Sequence, residues 1–313
     1  MPPKKAAIKV YAPATVANLA CGFDVMGLSV REPGDELSLM LNSSGKISVR
    51  RIIGDGGKLS SDPKKNTASV AIQAMLDHMG IRQGADIVLR KRMPLGSGLG
   101  SSAASAVAGV FAMNELLGRP FSKSALVPFA MEGERIACGS AHADNVAPSM
   151  MGGIVLIRSY HPLEIISLPV PSQMYIALVH PQVEVLTRDA RAVLPRKIPL
   201  ETGIRQWANT ASLVAGLFSS NFTLIGKSME DHVAEPARAK LIPYFKEAKE
   251  AALLDGALSF SISGSGPTVF AVCKGKASAL RVMSSIKKMY RDKKIPTDQY
   301  LSPVNRDGVI VIP

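Results

Sequence analysis

Glycine alternates with other residues in PLGSGLGSSAASAVAG (residues 94–109), which places Gly96, Gly98 and Gly100 directly before a Ser-Ser pair. Glycine lets backbone approach a ligand closely, and the free N–H groups and dipole at a helix N-terminus favour an anion. The spacing therefore predicts a phosphate-binding loop. It is not a Walker A loop, because no lysine follows the last glycine, and Ser101 stands where a dinucleotide fingerprint needs its third glycine. Taken alone, these glycines also fit a tight strand-to-helix turn.

Hydrophobic patterns predict the elements that hold this loop. β-Branched or alternating residues indicate strands, and apolar residues at a helical period ended by glycine indicate helices. The first half is predicted to contain strands Ala7–Tyr11, Asp35–Leu41, Ile47–Ile52, Ala85–Lys91 and Ile154–Ser159 and helices Thr67–Met79, Ser101–Leu117 and Ser124–Cys138. The glycine loop thus follows a strand and opens a helix, as phosphate binding requires.

The proline-containing segment LPVPSQ, residues 168–173, indicates a linker to a second half. That half is predicted to contain strands Tyr175–His180, Ala257–Ile262, Thr268–Cys273 and Gly308–Ile312, a helix-rich stretch from Thr187 to Leu254, and a helix Ser278–Tyr290. Strands with helices gathered between them predict two α+β domains.

The charge of the chain is unusual for an otherwise ordinary globular composition. With 37 Lys+Arg against 25 Asp+Glu, the 313 residues carry a net charge of +12. The basic residues occur in small scattered groups without interleaved aromatic residues, so there is no stacking platform for nucleic acid. We expect a solvated basic surface that favours anionic small molecules, and no nucleic-acid partner.

The sequence also bears on the compartment. No apolar run approaches the length of a membrane span, and the basic start lacks an apolar signal region, so we expect no membrane partner. Cys21, Cys138 and Cys273 are too widely spaced for a disulfide framework or a zinc pattern. Together these features predict a reduced, cytoplasmic protein.

Three motifs in fixed order point to one family. APATVANLACGFDVMGLS near the N-terminus, PLGSGLGSSAASA and SISGSGPTVFAV near the C-terminus together resemble the three motifs of the GHMP kinases. This resemblance implies an α+β fold of two domains, with a β-α-β nucleotide-binding domain over residues 1–168 and a ferredoxin-like domain over 169–313. The nucleotide and the acceptor would then bind between the domains.

Three further segments narrow the activity. PATVANLACGFDVMGL, GSAHADNVAPSMMGG and EPARAKLIP resemble the family members that phosphorylate L-homoserine. The similarity implies phosphorylation of the side-chain hydroxyl of L-homoserine by ATP with Mg²⁺, for threonine biosynthesis, and we expect a homodimer. A mevalonate-type kinase of the same family and a basic nucleic-acid-binding protein are the alternatives.

The resemblance assigns the nucleotide site. Asn66, in LSSDPKKNTASVAI, is expected on the adenine side and as the cap of the following helix. The other residues expected to bind ATP are Pro94, Leu95, Gly96, Ser97, Gly98, Leu99, Gly100, Ser101 and Ser102.

The family match also assigns the metal ligands, Ser102 and Glu134. Mg²⁺ is commonly bound through one or two carboxylates, waters and phosphates, and a hydroxyl at the helix start can complete the set. Without the resemblance, Glu134 would be taken for a helix-surface acid paired with Arg135 or Lys123.

The segment HADN is expected to face the attacking hydroxyl. The resemblance places Asn145 there, which can orient a hydroxyl but cannot accept a proton at neutral pH, so the proton would pass to phosphate oxygen or solvent. Asp144 is the rival for this contact, and otherwise a loop acid. A zinc site from Cys138, His142 and Asp144 is disfavoured because no second ligand pair follows.

Homoserine is a zwitterion, so its site needs both charges. Asn18 and Asp24 are expected to bind the ammonium, and Arg191 and Arg238 the carboxylate, since a planar guanidinium suits two oxygens. By the same resemblance, the remaining residues expected at the substrate are His142, Thr187 and Gly264.

Overall fold

The structure is a computed structural model and describes residues 7–139 and 142–313, apart from the side chain of Cys138. The first half contains strands β1 (Ala7–Ala17), β2 (Met26–Asn42), β3 (Ile47–Ile53), β4 (Gly84–Arg90), β5 (Ile154–Tyr160) and β6 (Leu163–Leu168) and helices α1 (Thr67–Met79), α2 (Ser101–Leu116), α3 (Lys123–Cys138) and α4 (Ala143–Met151). The second half contains strands β7 (Met174–Pro181), β8 (Ser259–Ile262), β9 (Val269–Lys274), β10 (Thr297–Pro303) and β11 (Ile310–Ile312) and helices α5 (Thr187–Ala192), α6 (Leu200–Phe218), α7 (Phe222–Ser228), α8 (Glu235–Arg238), α9 (Phe245–Leu254) and α10 (Lys276–Asp292). The predicted α+β class is confirmed.

The first sheet has seven strands in the order β11-β1-β2-β4-β3, with β5 pairing to β2 and β6 to β5. Only β3 and β4 run parallel; the other pairings are antiparallel. The long strand β2 pairs with β1 along one edge and with two strands along the other, where Glu36–Asn42 pairs with β4 and Met26–Leu28 pairs with β5. The end of the chain therefore returns to the sheet of the first half.

Helices α1 to α4 pack with one another, and α2 and α4 lie on this sheet. Helix α1 begins where Asn66 accepts a hydrogen bond from the Ala68 amide and ends at Gly80 in the left-handed conformation. Helix α2 is built from small residues and is almost wholly buried, so it can pass close to its neighbours. Its N-terminus is thereby fixed against the core.

The second sheet is antiparallel, in the order β10-β7-β9-β8. Strand β7 alternates between two cores: Ile176 and Leu178 join the large core with α6 and α7, whereas Ala177 and Val179 face α9 and α10. Successive side chains of a strand point to opposite faces of the sheet, so alternate residues of β7 enter different cores. The sheet thus lies between two helical layers.

Several elements differ from the sequence-based prediction. The first two strands are longer, because Pro13 pairs with Gly34 and, after a bulge, Thr15–Ala17 pairs with Gly27–Ser29. Helix α4 and strands β6 and β10 were not predicted. Their sequences lack clean periodicity, and α4 contains Pro148. Within the described residues, none of the helices combines the length and apolar character that a bilayer crossing would need.

Candidate active site

Backbone hydrogen bonds join the three family-like motifs at one place. The Thr15 amide donates to the Leu99 carbonyl at 3.0 Å, and the Thr268 amide donates to the Ser97 carbonyl at 3.1 Å. The Ser263 hydroxyl donates to the Gly98 carbonyl at 2.7 Å. The N-terminal motif and the C-terminal glycine loop (residues 263–266) therefore hold the phosphate loop from two sides.

Two glycines of the phosphate loop are required by these close approaches. Gly98 and Gly100 have φ of +78° and +69°. A Cβ on Gly98 would lie 2.3 Å from the Ser263 carbonyl oxygen, and one on Gly100 would lie 2.1 Å from Thr15 Oγ1 and 2.8 Å from Asn145 Oδ1. Glycine is thus needed here for packing as well as for approach to an anion.

A cavity of about 370 Å³ lies beside this loop. It is lined by most residues that the sequence singled out: Asn18, Asp24, Asn66, Leu95, Gly96, Ser97, Gly98, Gly100, Ser101, Ser102, Glu134, His142, Asn145, Thr187, Arg191, Arg238 and Gly264. Pro94 and Leu99 are not among its lining residues; Leu99 is fully buried in the core and contributes its carbonyl to the strand contact described above.

One end of the cavity is suited to phosphate. Gly100 caps α2 and has no side chain to accept the first helical amides, so these donors are left to a ligand. The Ser102 hydroxyl donates to Glu134 Oε1 at 3.0 Å. A hydroxyl and a buried carboxylate thus stand together at the positive end of the helix.

A buried ion pair at this end was missed by the sequence analysis. Lys91 Nζ donates to the Asp35 carboxylate, and also to the Ser101 carbonyl and the Ser105 hydroxyl, both at 2.8 Å. Asp35 in turn accepts from the backbone amides of residues 92–93 and from the Ser101 hydroxyl. Burial lowers the pKa of Lys91, which Asp35 opposes. The pair fixes both ends of the phosphate loop. One isolated charge in a strand and another directly after a strand form no sequence pattern, so the sequence did not reveal the pair.

The opposite end of the cavity carries the charges expected for a zwitterion. Both terminal nitrogens of Arg191 donate to the Asp24 carboxylate, at 3.2 and 3.3 Å. His142 Nδ1 lies 3.8 Å from the same carboxylate. Burial lowers the pKa of His142, so the ring is neutral at neutral pH. The side chains predicted to bind the substrate ammonium and the substrate carboxylate therefore pair with each other.

Arg238 and Asn18 are held by internal contacts. Arg238 is buried over the Phe23 ring, and it donates to the Ala190 and Gly264 carbonyls at 3.0 and 2.8 Å. Burial, and then the charge of Arg191, lowers its pKa. Asn18 donates to the Gly264 carbonyl and accepts from the Asp24 amide. Both side chains thus shape the substrate end of the cavity in addition to lining it.

The neighbouring side chains of Asp144 and Asn145 line the cavity between its two ends. Thr15 donates its hydroxyl to Asn145 Oδ1 at 2.6 Å, which fixes the carboxamide. Asp144 is buried, and within the described residues its Oδ1 has no hydrogen-bond partner. Burial, followed by the charge of Asp24, raises the pKa of Asp144 to about 7. Asp144 can therefore exchange a proton near neutral pH, whereas Asn145 can only orient a group.

The described residues contain no cluster of three or more His, Cys, Asp or Glu side chains that would form a protein-only metal site. Ser102 with Glu134 instead offers the two oxygen donors that suit Mg²⁺ alongside phosphates. The zinc alternative involved Cys138, whose side chain lies outside the described residues.

Comparisons with known proteins agree with this geometry. The chain matches the family model for the N-terminal domain of GHMP kinases over residues 66–153 and that for the C-terminal domain over residues 213–292. The fold is also similar to that of the mevalonate kinase from L. major, with a TM-score of 0.73 over 96% of this chain and 98% of that one, at 16% identity. The chain belongs to the GHMP kinases.

More similar relatives narrow the position within that family. A homoserine kinase from Chlorobium phaeobacteroides is 48% identical over 97% of this chain and 99% of its own length. The crystal structure of homoserine kinase from Cytophaga hutchinsonii superposes with a TM-score of 0.97 at 52% identity, covering 100% of this chain and 99% of that one. Within the GHMP kinases, the chain is a member of the homoserine kinase family.

Proposed function

We propose that this protein transfers the γ-phosphoryl group of ATP to the side-chain hydroxyl of L-homoserine, giving O-phospho-L-homoserine for threonine biosynthesis. The observation that carries the proposal is that one cavity joins an anion-binding helix N-terminus to a paired carboxylate and guanidinium. Phosphoryl transfer depends mainly on positioning and on neutralising phosphate charge, and both ends of the cavity serve that purpose.

The phosphates of ATP are expected at the N-terminus of α2. Backbone amides after Gly100 can donate to phosphate oxygens, and the Lys91–Asp35 pair keeps Ser101 and residues 92–93 in place. The cavity also reaches Leu59, Ser60 and Asn66 at the start of α1, where the nucleoside would lie. The loop thereby binds ATP without a lysine of the Walker type.

Ser102 and Glu134 would hold Mg²⁺, which neutralises charge on the phosphates when bound. Their contact at 3.0 Å supports this assignment, because it brings the hydroxyl and the carboxylate to one place. Glu134 is buried and stands on α3, so its position is set by helix packing and not by a mobile loop.

The homoserine backbone is expected between Asp24 and Arg191. The substrate ammonium would replace the guanidinium at Asp24, and the substrate carboxylate would replace Asp24 at Arg191. Arg238, which lines the same cavity, would add positive charge near the carboxylate. Each charge of the pair then keeps a partner. This exchange selects amino acids over neutral sugars.

The side-chain hydroxyl of the substrate would then face Asn145 and Asp144. Because Thr15 occupies Oδ1 of Asn145, the amide nitrogen is the group left to orient the hydroxyl. We propose attack with the proton passing to phosphate oxygen or solvent. Asp144 is the second candidate to receive it, since its pKa of about 7 allows this at neutral pH.

A coupled assay of ADP release with L-homoserine, mevalonate and galactose, without nucleic acid, tests the proposal. Turnover only with homoserine is expected. Turnover with mevalonate or galactose alone would redirect the assignment to another member of the family. A cytoplasmic location, dependence on Mg²⁺ and a homodimeric state belong to the same proposal.

A further inference from the structure

Tyr160 is the last residue of strand β5, and it is not among the described residues that line the cavity. Its hydroxyl donates to the Asp24 carbonyl at 3.0 Å and accepts from the Ala143 amide at 3.3 Å. One hydroxyl group therefore joins the substrate loop (residues 18–25), which bears Asp24, to the start of helix α4, which bears Asn145.

The register of β5 brings Tyr160 to this position. Strand β5 pairs antiparallel with the start of β2, which directly follows the substrate loop. The Ile157 amide extends the pairing by donating to the Val25 carbonyl at 2.7 Å. Because the two strands are antiparallel, residues further along β5 lie beside earlier parts of the chain that leads into β2. Tyr160, three residues after Ile157, thus reaches the backbone of the substrate loop.

The backbone of Asp24 has an uncommon conformation that needs support. Its φ is +57°, in the left-handed region that residues with a side chain seldom adopt. Two side chains hold it, since Asn18 Oδ1 accepts from the Asp24 amide at 3.0 Å and Tyr160 donates to the Asp24 carbonyl. Such a conformation persists only when its surroundings fix it. Loss of the Tyr160 hydroxyl would release one side of this residue, and with it the direction of the Asp24 carboxylate.

Helix α4 also depends on Tyr160 in its first turn. His142 at the N-cap makes no side-chain capping hydrogen bond among the described residues. The first helical amide, that of Ala143, has the Tyr160 hydroxyl as its partner instead. The Tyr160 ring packs edge-on against His142, with the ring centroids 6.5 Å apart and the planes at 84°. Tyr160 therefore holds both the first turn of α4 and its cap.

The Tyr160 hydroxyl acts as a hydrogen-bonding group and not as a base. Burial, followed by the negative charge of Asp144, raises the pKa of Tyr160. The hydroxyl therefore keeps its proton at neutral pH and donates it to the Asp24 carbonyl. Because Tyr160 acts on the site through other residues, its role is one of positioning.

We propose that Tyr160 is a positioning residue for the phosphoryl acceptor: its hydroxyl ties Asp24 to the start of α4 and so sets the spacing between the partners of the substrate ammonium and of the substrate hydroxyl. This inference rests on the proposed function, in which Asp24 binds the ammonium and Asn145 faces the hydroxyl. The two groups of L-homoserine are joined by a short carbon chain, so the acceptor binds well only when both partners keep their spacing.

Steady-state kinetics of Tyr160→Phe test this role, because the change keeps the ring and removes only the hydroxyl. The KM for L-homoserine should rise roughly 3- to 10-fold, the factor that corresponds to one ordinary hydrogen bond. The KM for ATP should stay within about twofold, since the phosphate loop lies at the other end of the cavity. A merely structural defect would reduce the amount of active enzyme, and hence the apparent kcat, and would leave both KM values unchanged.

Tyr290→Phe is the matched control. Tyr290 is fully buried in the core of the second half, and its hydroxyl has no hydrogen-bond partner among the described residues. Removal of this hydroxyl should leave the KM values for homoserine and ATP as in wild type. Circular dichroism checks that both variants are folded.

A double-mutant cycle tests whether Tyr160 acts through Asp24. Calorimetric titration with homoserine, in the presence of a non-hydrolysable ATP analogue, gives dissociation constants for wild type, Tyr160→Phe, Asp24→Asn and the double variant. Tyr160→Phe should weaken homoserine binding roughly 3- to 10-fold in wild type but less than about twofold in Asp24→Asn, where the charge that attracts the ammonium is already lost. Equal effects in both backgrounds would overturn the proposal.

The outcomes separate the role of Tyr160 from the proposed function. A wild type that does not turn over homoserine would overturn both. If wild type is active with homoserine, a Tyr160→Phe variant that keeps the wild-type KM for homoserine would overturn the role of Tyr160 alone. The same conclusion would follow if the variant lost affinity for homoserine and ATP to the same extent.

Discussion

Replacing Arg191 by methionine should separate the two charges of the substrate. Arg191 is engaged with Asp24 through two hydrogen bonds. Arg191→Met removes the expected partner of the substrate carboxylate and, at the same time, frees Asp24 for the substrate ammonium. Homoserine should therefore bind more weakly, while L-homoserinol, which has the ammonium but no carboxylate, should bind equally well or better.

The size of the effect follows from the contact that is lost. Hydrogen bonds to charged groups contribute about 1.5–3 kcal/mol, which corresponds to a roughly 10- to 150-fold rise in the dissociation constant of homoserine. A value near the lower end is expected, because the Arg191 side chain is partly exposed and water screens it. Release of Asp24 offsets part of the loss. ATP binding should stay within about twofold, since the phosphate loop is at the other end of the cavity.

Calorimetric titration with homoserine, homoserinol and a non-hydrolysable ATP analogue measures all three affinities. Arg188→Met is the matched control, because Arg188 is exposed on the same helix α5 and pairs only with the neighbouring Asp189 among the described residues. Equal weakening of homoserine and homoserinol would show that Arg191 acts through the fold of the loop and would refute its role as carboxylate partner.

Three further changes probe the other end of the site and its electrostatics. Glu134→Gln should lower turnover by about 100-fold or more at unchanged circular dichroism, because the metal loses its carboxylate, whereas Glu132→Gln on the exposed face of α3 should not; steady-state rates with varied Mg²⁺ decide this. Gly98→Ala should lower the free energy of unfolding by about 1–3 kcal/mol and weaken ATP binding, because the new Cβ would meet the C-terminal glycine loop. Gly96→Ala should lower the free energy of unfolding by less, because its Cβ would face open space. Denaturant titration measures the stability of both variants. The pKa of Asp144 is raised to about 7 in the folded protein, so wild type should lose about 2–4 kcal/mol of stability from this group between about pH 4 and about pH 7 that Asp144→Asn does not lose. Unfolding curves would contradict the raised pKa of Asp144 if the difference in unfolding free energy between the two proteins were the same at both pH values.

Much of the fold could be predicted because its elements carry local signals. Helix α1 begins and ends at the predicted residues, since Asn66 and Gly80 mark both boundaries by side-chain capping and a left-handed glycine. Strand β10 could not be predicted in the same way. Its residues are mostly half-buried with little alternation, and it forms because β7 offers an edge to pair with. Strand β11 was predicted as the last strand, but its partner β1 lies at the other end of the sequence.

The candidate site divides along similar lines. Most of the site residues in the glycine-containing loops were found, because loops of glycine and small polar residues are distinctive in sequence. Lys91, Asp35 and Thr15 were missed, because a single charge or hydroxyl in a strand or directly after one acquires its role only through a distant partner. The pairing of Asp24 with Arg191 also joins residues 167 positions apart, so the sequence could name both ends but not their contact.

The hydrogen bonds at the phosphate loop connect binding to the joining of the two halves. Ser97 and Gly98 accept hydrogen bonds from residues of the second half, and Leu99 accepts one from the first. Asn18 adds a bond to Gly264 from the substrate loop. A ligand that orders the phosphate loop must therefore also stabilise the contact between the halves, because the same backbone atoms take part in both.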